Sequence, residues 1–328
     1  MRIALVGAGV IARVHMRALL SLGMPPAAVC DIDKGKAHAL LAEFSLSLPV
    51  FTDYTEMLTD FAPDAVHICT PHHCHADMIV AALARDVHVL SEKPLCISEA
   101  DIPRILAAEA ASRATLGVCH QNRYNPSTLF FKNYLADKTV LTAHGSVPWH
   151  RDAAYYASGA WRGRWETEGG GVMINQALHT LDLCQWLFGY PEGVTATVAN
   201  LSLADAIEVE DTAAATFRGP VPFTFFATNA AGKSLPVSIT ARTQDEELVL
   251  LPHSVTVNGK TAFHEAQNIV SGKACYGMGH ATLFADFYGA IAAGRPFPIN
   301  GREAARVIRM ILAMYQSEAR AVALAPIL

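Results

Sequence analysis

Residues 3–12 read IALVGAGVIA. A β-branched run stops at a glycine, a second glycine follows two places on, and a small residue follows three later. Few stretches restrict a chain more. The strand must turn sharply at Gly7, the backbone at Gly9 must be bare enough for close approach, and Ala12 must let the next helix pack against the strand. A helix is predicted over 10–22, with apolar residues four apart at Val10, Val14, Ala18 and Leu22. Its first N–H groups and the positive end of its dipole suit phosphates. G-x-G-x-x-A between strand and helix is a dinucleotide fingerprint, so Gly7, Gly9, Val10, Ile11 and Ala12 are candidate cofactor-binding residues. A merely structural turn would show the same glycines. Against it, a second apolar run ends at Asp31, roughly the twenty residues on at which a carboxylate meets the ribose. Asp31 would accept hydrogen bonds from ribose hydroxyls and repel a 2′-phosphate, and neither Ile32 nor Asp33 could neutralise one. The cofactor expected is NAD, over NADP.

The same grammar repeats. Short apolar runs at 28–30, 65–69, 87–90 and 116–119 alternate with helical patterns at 34–44, 75–85 and, behind an apparent capping box at Ser98–Asp101, up to about 111. Strand–helix–strand repetition calls for parallel pairing with right-handed crossovers, and continuous apolar strands fit a sheet covered on both faces. The fold class expected is an α/β Rossmann domain with a parallel sheet. Beyond residue 121 the texture changes. Helices are predicted at 127–135 and 172–188. β-like segments at 194–201, 211–217, 221–228, 236–242, 246–251 and 254–258 follow, and helices at 279–292 and 302–319 close the chain. Consecutive strands with tight turns imply an antiparallel sheet in an α+β domain. The domains expected are 1–121 and 122–328.

Composition excludes other classes. Twenty-five basic against 30 acidic residues give a net charge of −5 with no basic run, so no nucleic-acid partner is expected. No apolar stretch is long enough to cross a bilayer, and the start lacks a signal-peptide pattern. Seven irregularly spaced cysteines suit reduced thiols in a cytoplasmic protein.

Three stretches carry chemistry. In Cys69–His75 (CTPHHCH), histidines and cysteines crowd without ligand spacing, so no metal site is expected. Thr70 and Pro71 instead fall at the carboxyl edge of a parallel strand, where such sheets bind ligands, with His75 just beyond. In SEKP, Glu92 and Lys93 also follow a strand at that edge, and Pro94 restricts the backbone before it. In EGGGVMINQALHTLDL, three glycines precede an apolar helix. Asn175, His179 and Asp182 share one face of it, with Gln176 and Thr180 beside them. A buried helix with a polar stripe either lines a site or satisfies itself in the core; with Lys93 and the fingerprint present, the site reading is preferred. Tyr155, Tyr156, Trp165, His150 and Arg151 cluster before the glycines and could face a sugar or fill the core. Arg151 and Arg164 are the nearest cations for an anionic substrate.

GAGVIA, TPHHCH, SEKP, QNRYNP, EGGGVMINQALHTLDL and YGMGHATLFADF, in that order, resemble the Gfo/Idh/MocA family of sugar and polyol oxidoreductases along nearly the whole chain. The resemblance implies an open antiparallel sheet in the second domain, a homodimer or homotetramer assembled through it, and a sugar-like substrate. It implies that Lys93, Asn175 and His179 form the active site, with Asn175 standing where many members have aspartate. It places Trp161, Arg162 and Arg123 near the cofactor. Arg151, Tyr155 and His280 join Lys93, Asn175 and His179 as candidate substrate contacts. The chemistry expected is hydride transfer between NAD and a secondary hydroxyl or ketone. His179 would be the base, since imidazole titrates at ~6.5, and Lys93 would stabilise the alkoxide. The alternatives are a non-catalytic NAD-binding sensor and a reductase of biliverdin or aldehyde type on the same scaffold.

Overall fold

The computed structural model describes residues 1–265 and 279–325. These fall into two compact units: 1–121 with 279–304, and 122–265 with 305–325.

The first unit is built on six parallel strands, β1 (Ile3–Val6), β2 (Ala28–Cys30), β3 (Val50–Phe51), β4 (Ala65–Ile68), β5 (His88–Ser91) and β6 (Leu116–Val118), in the order β3-β2-β1-β4-β5-β6. β1, β2, β4 and β6 are buried at every position, as a sheet covered on both faces requires. The strand order reverses between β1 and β4, the place where doubly wound sheets bind ligands. The two-residue β3 lay below the threshold of sequence periodicity. Helix Asp101–Ala111 is present, but no side chain caps it; the Asp101 N–H goes to the Ser98 carbonyl, so the capping box does not form.

Residues 279–304 pack against this unit, although the sequence reading counts them with the second domain. Gly117 leaves room for the rings of Phe287 and Phe297, and the Val118 N–H donates to the Ile299 carbonyl at 3.0 Å. Phe284, on helix Gly279–Ala293, lies 4.8 Å from the rings of both His15 and His67. Tertiary burial of three aromatics, each contributing about 1.5–3 kcal/mol, outweighs sequence distance.

The second unit holds nine strands among the described residues. β7 (Thr142–Pro148), β8 (Gly193–Ala199), β9 (Thr212–Arg218), β10 (Phe223–Thr228), β11 (Ser238–Arg242), β12 (Glu247–Leu251), β13 (Ser254–Val257), β14 (Lys260–His264) and β15 (Val322–Ala323) lie in the order β14-β13-β12-β11-β7-β10-β9-β8-β15. The sheet is antiparallel except where β7 runs parallel to β10. β9 and β10 alternate buried and exposed residues, and Phe217 stacks on Phe223 at 4.6 Å on the covered face. Helix Leu178–Phe188 lies there too: a side chain at Gly145 of β7 would strike Cys184 and Phe225. β7 was missing from the expected strands because its THGS-type polar and glycine positions mute the apolar signal.

Candidate active site

In the first unit, Gly7 adopts φ +90° and lies so near β4 that a Cβ would sit 2.7 Å from the Cys69 carbonyl oxygen. A Cβ at Gly9, by contrast, would meet nothing within 4 Å, so the space there is open to a ligand. Gly9 caps helix Val10–Ser21 with no side-chain hydrogen bond, which leaves the helix's first N–H groups to an external acceptor. Asp31 closes the loop from the other side: Oδ2 accepts from the Ala8 N–H at 2.6 Å and Oδ1 from the Asp33 N–H at 2.8 Å. It thus does the turn-capping work of a loop aspartate while standing beside the glycine loop. Val10 and Ile32, next to these residues, are left 64% and 93% exposed. A bare cradle, an uncapped helix start and an adjacent carboxylate fit a dinucleotide.

The loop after β4 is held to the loop after β5 by one buried ring. His75 contacts the Pro94 carbonyl through Nδ1 at 2.7 Å and the Thr70 carbonyl through Nε2 at 2.9 Å. Burial pushes its pKa down. From Val89 to Cys96 every residue is buried except Lys93, which is half-buried. The Lys93–Pro94 peptide is cis. Glu92 accepts from the Lys93 N–H at 3.2 Å through Oε2, which fixes the lysine's backbone to a buried carboxylate.

Glu92 also ends a polar chain that sequence reasoning missed. His15 Nε2 lies 3.0 Å from Glu92 Oε1, His15 Nδ1 lies 2.8 Å from His67 Nδ1, and His67 Nε2 lies 2.6 Å from the Tyr288 hydroxyl. A single direction satisfies every contact with neutral rings: Tyr288 O–H donates to His67, His67 to His15, and His15 to the Glu92 carboxylate. Burial lowers the pKa of both histidines, His67 furthest. Burial pushes Glu92 up, but the contact with His15 and the nearby His280 ring, 3.8 Å away, outweigh it and hold the carboxyl well below its ordinary range. His280 is therefore buried beside Glu92, in the unit that holds Lys93. Cys119 Sγ lies 4.0 Å from His15 Nε2, bringing three ligand-type atoms within 4.8 Å of one another. Burial raises the Cys119 thiol far above its usual range. Among the described residues, the histidines of Cys69–His75 belong to no such group.

In the second unit the glycine triplet is demanded by close approach. A Cβ on Gly170 would run into the Tyr315 hydroxyl, and one on Gly171 into the Glu210 carbonyl oxygen. The helix that follows opens with a π-turn, Met173–Ala177, before its α-helical part Leu178–Phe188. Sequence periodicity could not show that wider turn. From Val172 to Leu181 only Asn175 and His179 escape burial. Asp182, expected on the same face, is instead 1% exposed and takes a bidentate ion pair from Arg123, with Nε–Oδ2 at 2.7 Å and Nη2–Oδ1 at 2.5 Å. This pair accounts for the burial of Arg123, expected near the cofactor, and gives Asp182 a structural task.

Two acids behind the helix were not foreseen. Glu168, fully buried, accepts from Asn175 Nδ2 and, at 2.5 Å, from the Gly163 N–H. The bond to Glu168 fixes the orientation of the Asn175 amide. Glu210 accepts from the Gly171 and Met173 N–H groups at 2.8 and 3.0 Å and from the Tyr315 hydroxyl at 2.9 Å, which caps the start of the helix. Burial drives Glu210 up to about 7 despite those donors. An acid directly before the glycines was a usable signal for Glu168; for Glu210, 39 residues from Gly171, there was none.

Tyr155 stands half-buried beside this helix, its hydroxyl accepting from Arg162 Nη1 at 2.7 Å and Gln176 Nε2 at 3.0 Å. Arg162 also lies 4.5 Å over Trp161 and 4.0 Å from Glu168. Tyr156, by contrast, is core, bonded to Asn229. Trp165 packs on Tyr315 and Glu208, and His150 bonds the Ala231 carbonyl at the rim. Cys275 and residues 276–278 of the YGMGH motif lie outside the described residues.

Residues 1–120 match the oxidoreductase family model GFO_IDH_MocA, NAD-binding Rossmann fold, and residues 139–245 match the GFO/IDH/MocA C-terminal domain. The chain belongs to the Gfo/Idh/MocA family. It is 28% identical over 193 residues to inositol 2-dehydrogenase of Salmonella typhimurium (57% of this chain, 54% of that one). It is 26% identical over 203 residues to D-glucoside 3-dehydrogenase of Escherichia coli (58% and 55%). It thus spans about half the length of these curated relatives. Among solved structures, the WlbA dehydrogenase of Bordetella pertussis in complex with NADH and UDP-GlcNAcA superposes with a TM-score of 0.87 at 26% identity, over 99% of this chain and 98% of that one. Levoglucosan dehydrogenase in complex with NADH and levoglucosan gives 0.86 at 18% identity, over 99% and 100%, a likeness of fold.

Proposed function

We propose that the protein is an NAD-dependent oxidoreductase that moves a hydride between nicotinamide and a secondary hydroxyl or ketone of a sugar, polyol or sugar derivative. The observation that carries this is the helix after the glycine triplet, where ten consecutive residues are buried except Asn175 and His179. A core helix has no reason to keep two polar side chains accessible one turn apart unless they serve a ligand. The relatives add support, since the inositol and glucoside enzymes are named for ring hydroxyls they oxidise.

NAD, when bound, supplies the hydride acceptor. Gly7, Gly9 and the first N–H groups of the following helix would hold its pyrophosphate, and Asp31 its ribose, in preference to NADP. His179 takes the hydroxyl proton; Lys93, its backbone fixed by Glu92, stabilises the developing alkoxide as a cation. Asn175, held by Glu168, accepts a hydrogen bond from a substrate hydroxyl but exchanges no proton. We further infer a cytoplasmic homo-oligomer. The uncovered face of the second sheet offers Ala214, Thr216, Thr224 and Phe226, with Arg218 at the end of the same row.

The test is an absorbance screen of sugars, polyols, sugar acids and nucleotide sugars with NAD and NADP separately. Lys93→Ala and His179→Ala should each lower turnover by about 10²- to 10⁴-fold with NAD affinity nearly unchanged. Undiminished turnover in either variant defeats the assignment, and better use of NADP defeats the role given to Asp31.

A further inference from the structure

We propose that an oxyanion of the substrate docks on Arg151. The inference rests on the oxidoreductase reading for the word substrate, and on the second unit's own geometry for everything else.

Arg151 follows β7, and its N–H donates to the Asn229 carbonyl at 2.8 Å. Its guanidinium lies against two rings, with Cζ 4.7 Å from the centre of Trp149 and 5.0 Å from that of Tyr155. Nη1 donates to the neighbouring His150 carbonyl at 2.7 Å, while Nε is buried with no acceptor. Among the described residues no carboxylate lies within 4.0 Å of it. Arg123, by comparison, has Asp182, and Arg162 has Glu168. Arg162 sits over Tyr155 as well, 4.6 Å from the ring centre, so two cations share one aromatic ring while Glu168 lies beside Arg162.

A half-buried guanidinium is costly to leave without an anion, and stacking does not supply one. What the two ring contacts and the bond to the His150 carbonyl do is restrict the fork, and a restricted fork suits a carboxylate or phosphate bound through N–H groups. The position also suits a substrate contact. The Tyr155 hydroxyl that accepts from Arg162 accepts from Gln176 too, the residue next to Asn175. An oxyanion on Arg151 would therefore be gripped beside the helix that carries Asn175 and His179.

Four probes separate the sources of the anion: a methyl glucoside, the matching methyl glucuronide, UDP-glucose and UDP-glucuronate, each titrated calorimetrically into the NAD-loaded protein. Either the carboxylate or the diphosphate should tighten binding on the order of 10- to 100-fold. Arg151→Met should erase that gain and weaken the neutral glucoside far less than the anionic probes. In the parent, raising salt should weaken the anionic probes and spare the neutral one, a readout that stands if Arg151→Met fails to fold. Charge-blind binding by the parent overturns the proposal, as does equal weakening of all four probes in Arg151→Met, which marks a structural staple. Turnover with charge-blind affinity defeats this inference alone; charge-selective binding without turnover on any sugar defeats the oxidoreductase reading and leaves the anion site standing.

Discussion

Replacing Asn175 by aspartate would place a second carboxylate against Glu168, where the amide now donates. The many family members with aspartate at this position make the change look harmless; the buried acid behind it says otherwise. Two unit charges about 4 Å apart repel by about 4 kcal/mol at an effective dielectric of about 20. At 1.36 kcal/mol per pKa unit, that amounts to roughly a three-unit rise for the proton the pair would share. Arg162, 4.0 Å from Glu168, offsets part of it, so these are upper values. The expected variant matches the parent in thermal stability only near pH 4, at the ordinary carboxylate pKa, where the shared proton remakes the hydrogen bond. Near pH 8.5 it should fall short by about 3 kcal/mol. Thermal unfolding of the parent, Asn175→Asp, Glu168→Gln and the double variant at both pH values forms a double-mutant cycle. Asn175→Asp in the Glu168→Gln background should lose most of its pH-dependent penalty. Melting curves of Asn175→Asp that run parallel to the parent's across this range would refute the reasoning.

Three further outcomes follow from the same unit and its neighbour. Glu210 is raised from its ordinary 4.5 to about 7, so the fold favours its protonated form. That contribution is complete below about 4.5 and is lost as pH rises through about 7, a swing of roughly 3 kcal/mol. The parent should therefore lose melting temperature across this window more steeply than Glu210→Gln, and parallel profiles would remove Glu210 from the account. Gly171→Ala, which forces a methyl group into the Glu210 backbone, should cost at least 1–3 kcal/mol of stability. Gly9→Ala, entering open space, should leave the melting point of the cofactor-free protein unchanged and weaken NAD binding in a fluorescence titration.

The parallel sheet was legible because buried strands betray themselves as unbroken apolar runs, and the glycine loop because only glycine suits its backbone. The two-residue β3 and the polar, glycine-bearing β7 carry too little apolar signal to register, although β7 lies in the middle of its sheet. At the site, Lys93, Asn175 and His179 stood out as polar residues in apolar company, and the structure leaves all three accessible to a degree their neighbours are not. Asp182 met the same criterion and is buried with Arg123, because helical spacing shows which residues share a face but not whether a distant arginine has claimed one. Glu210, Tyr315 and the His67–Tyr288 contact depend on pairings across 39 to 221 residues, which local pattern does not reach.

The Rossmann-type unit is assembled from two distant pieces of chain, 1–121 and 279–304. During translation, its six strands leave the ribosome long before Phe284, Phe287 and Phe297 are made. Until then, Gly117 and the rings of His15 and His67 lack their apolar cover, and His67 lacks Tyr288. A gene cut at the apparent domain boundary would freeze the polypeptide in that half-dressed condition. An expression clone meant to isolate the nucleotide-binding half would need the later segment grafted back on.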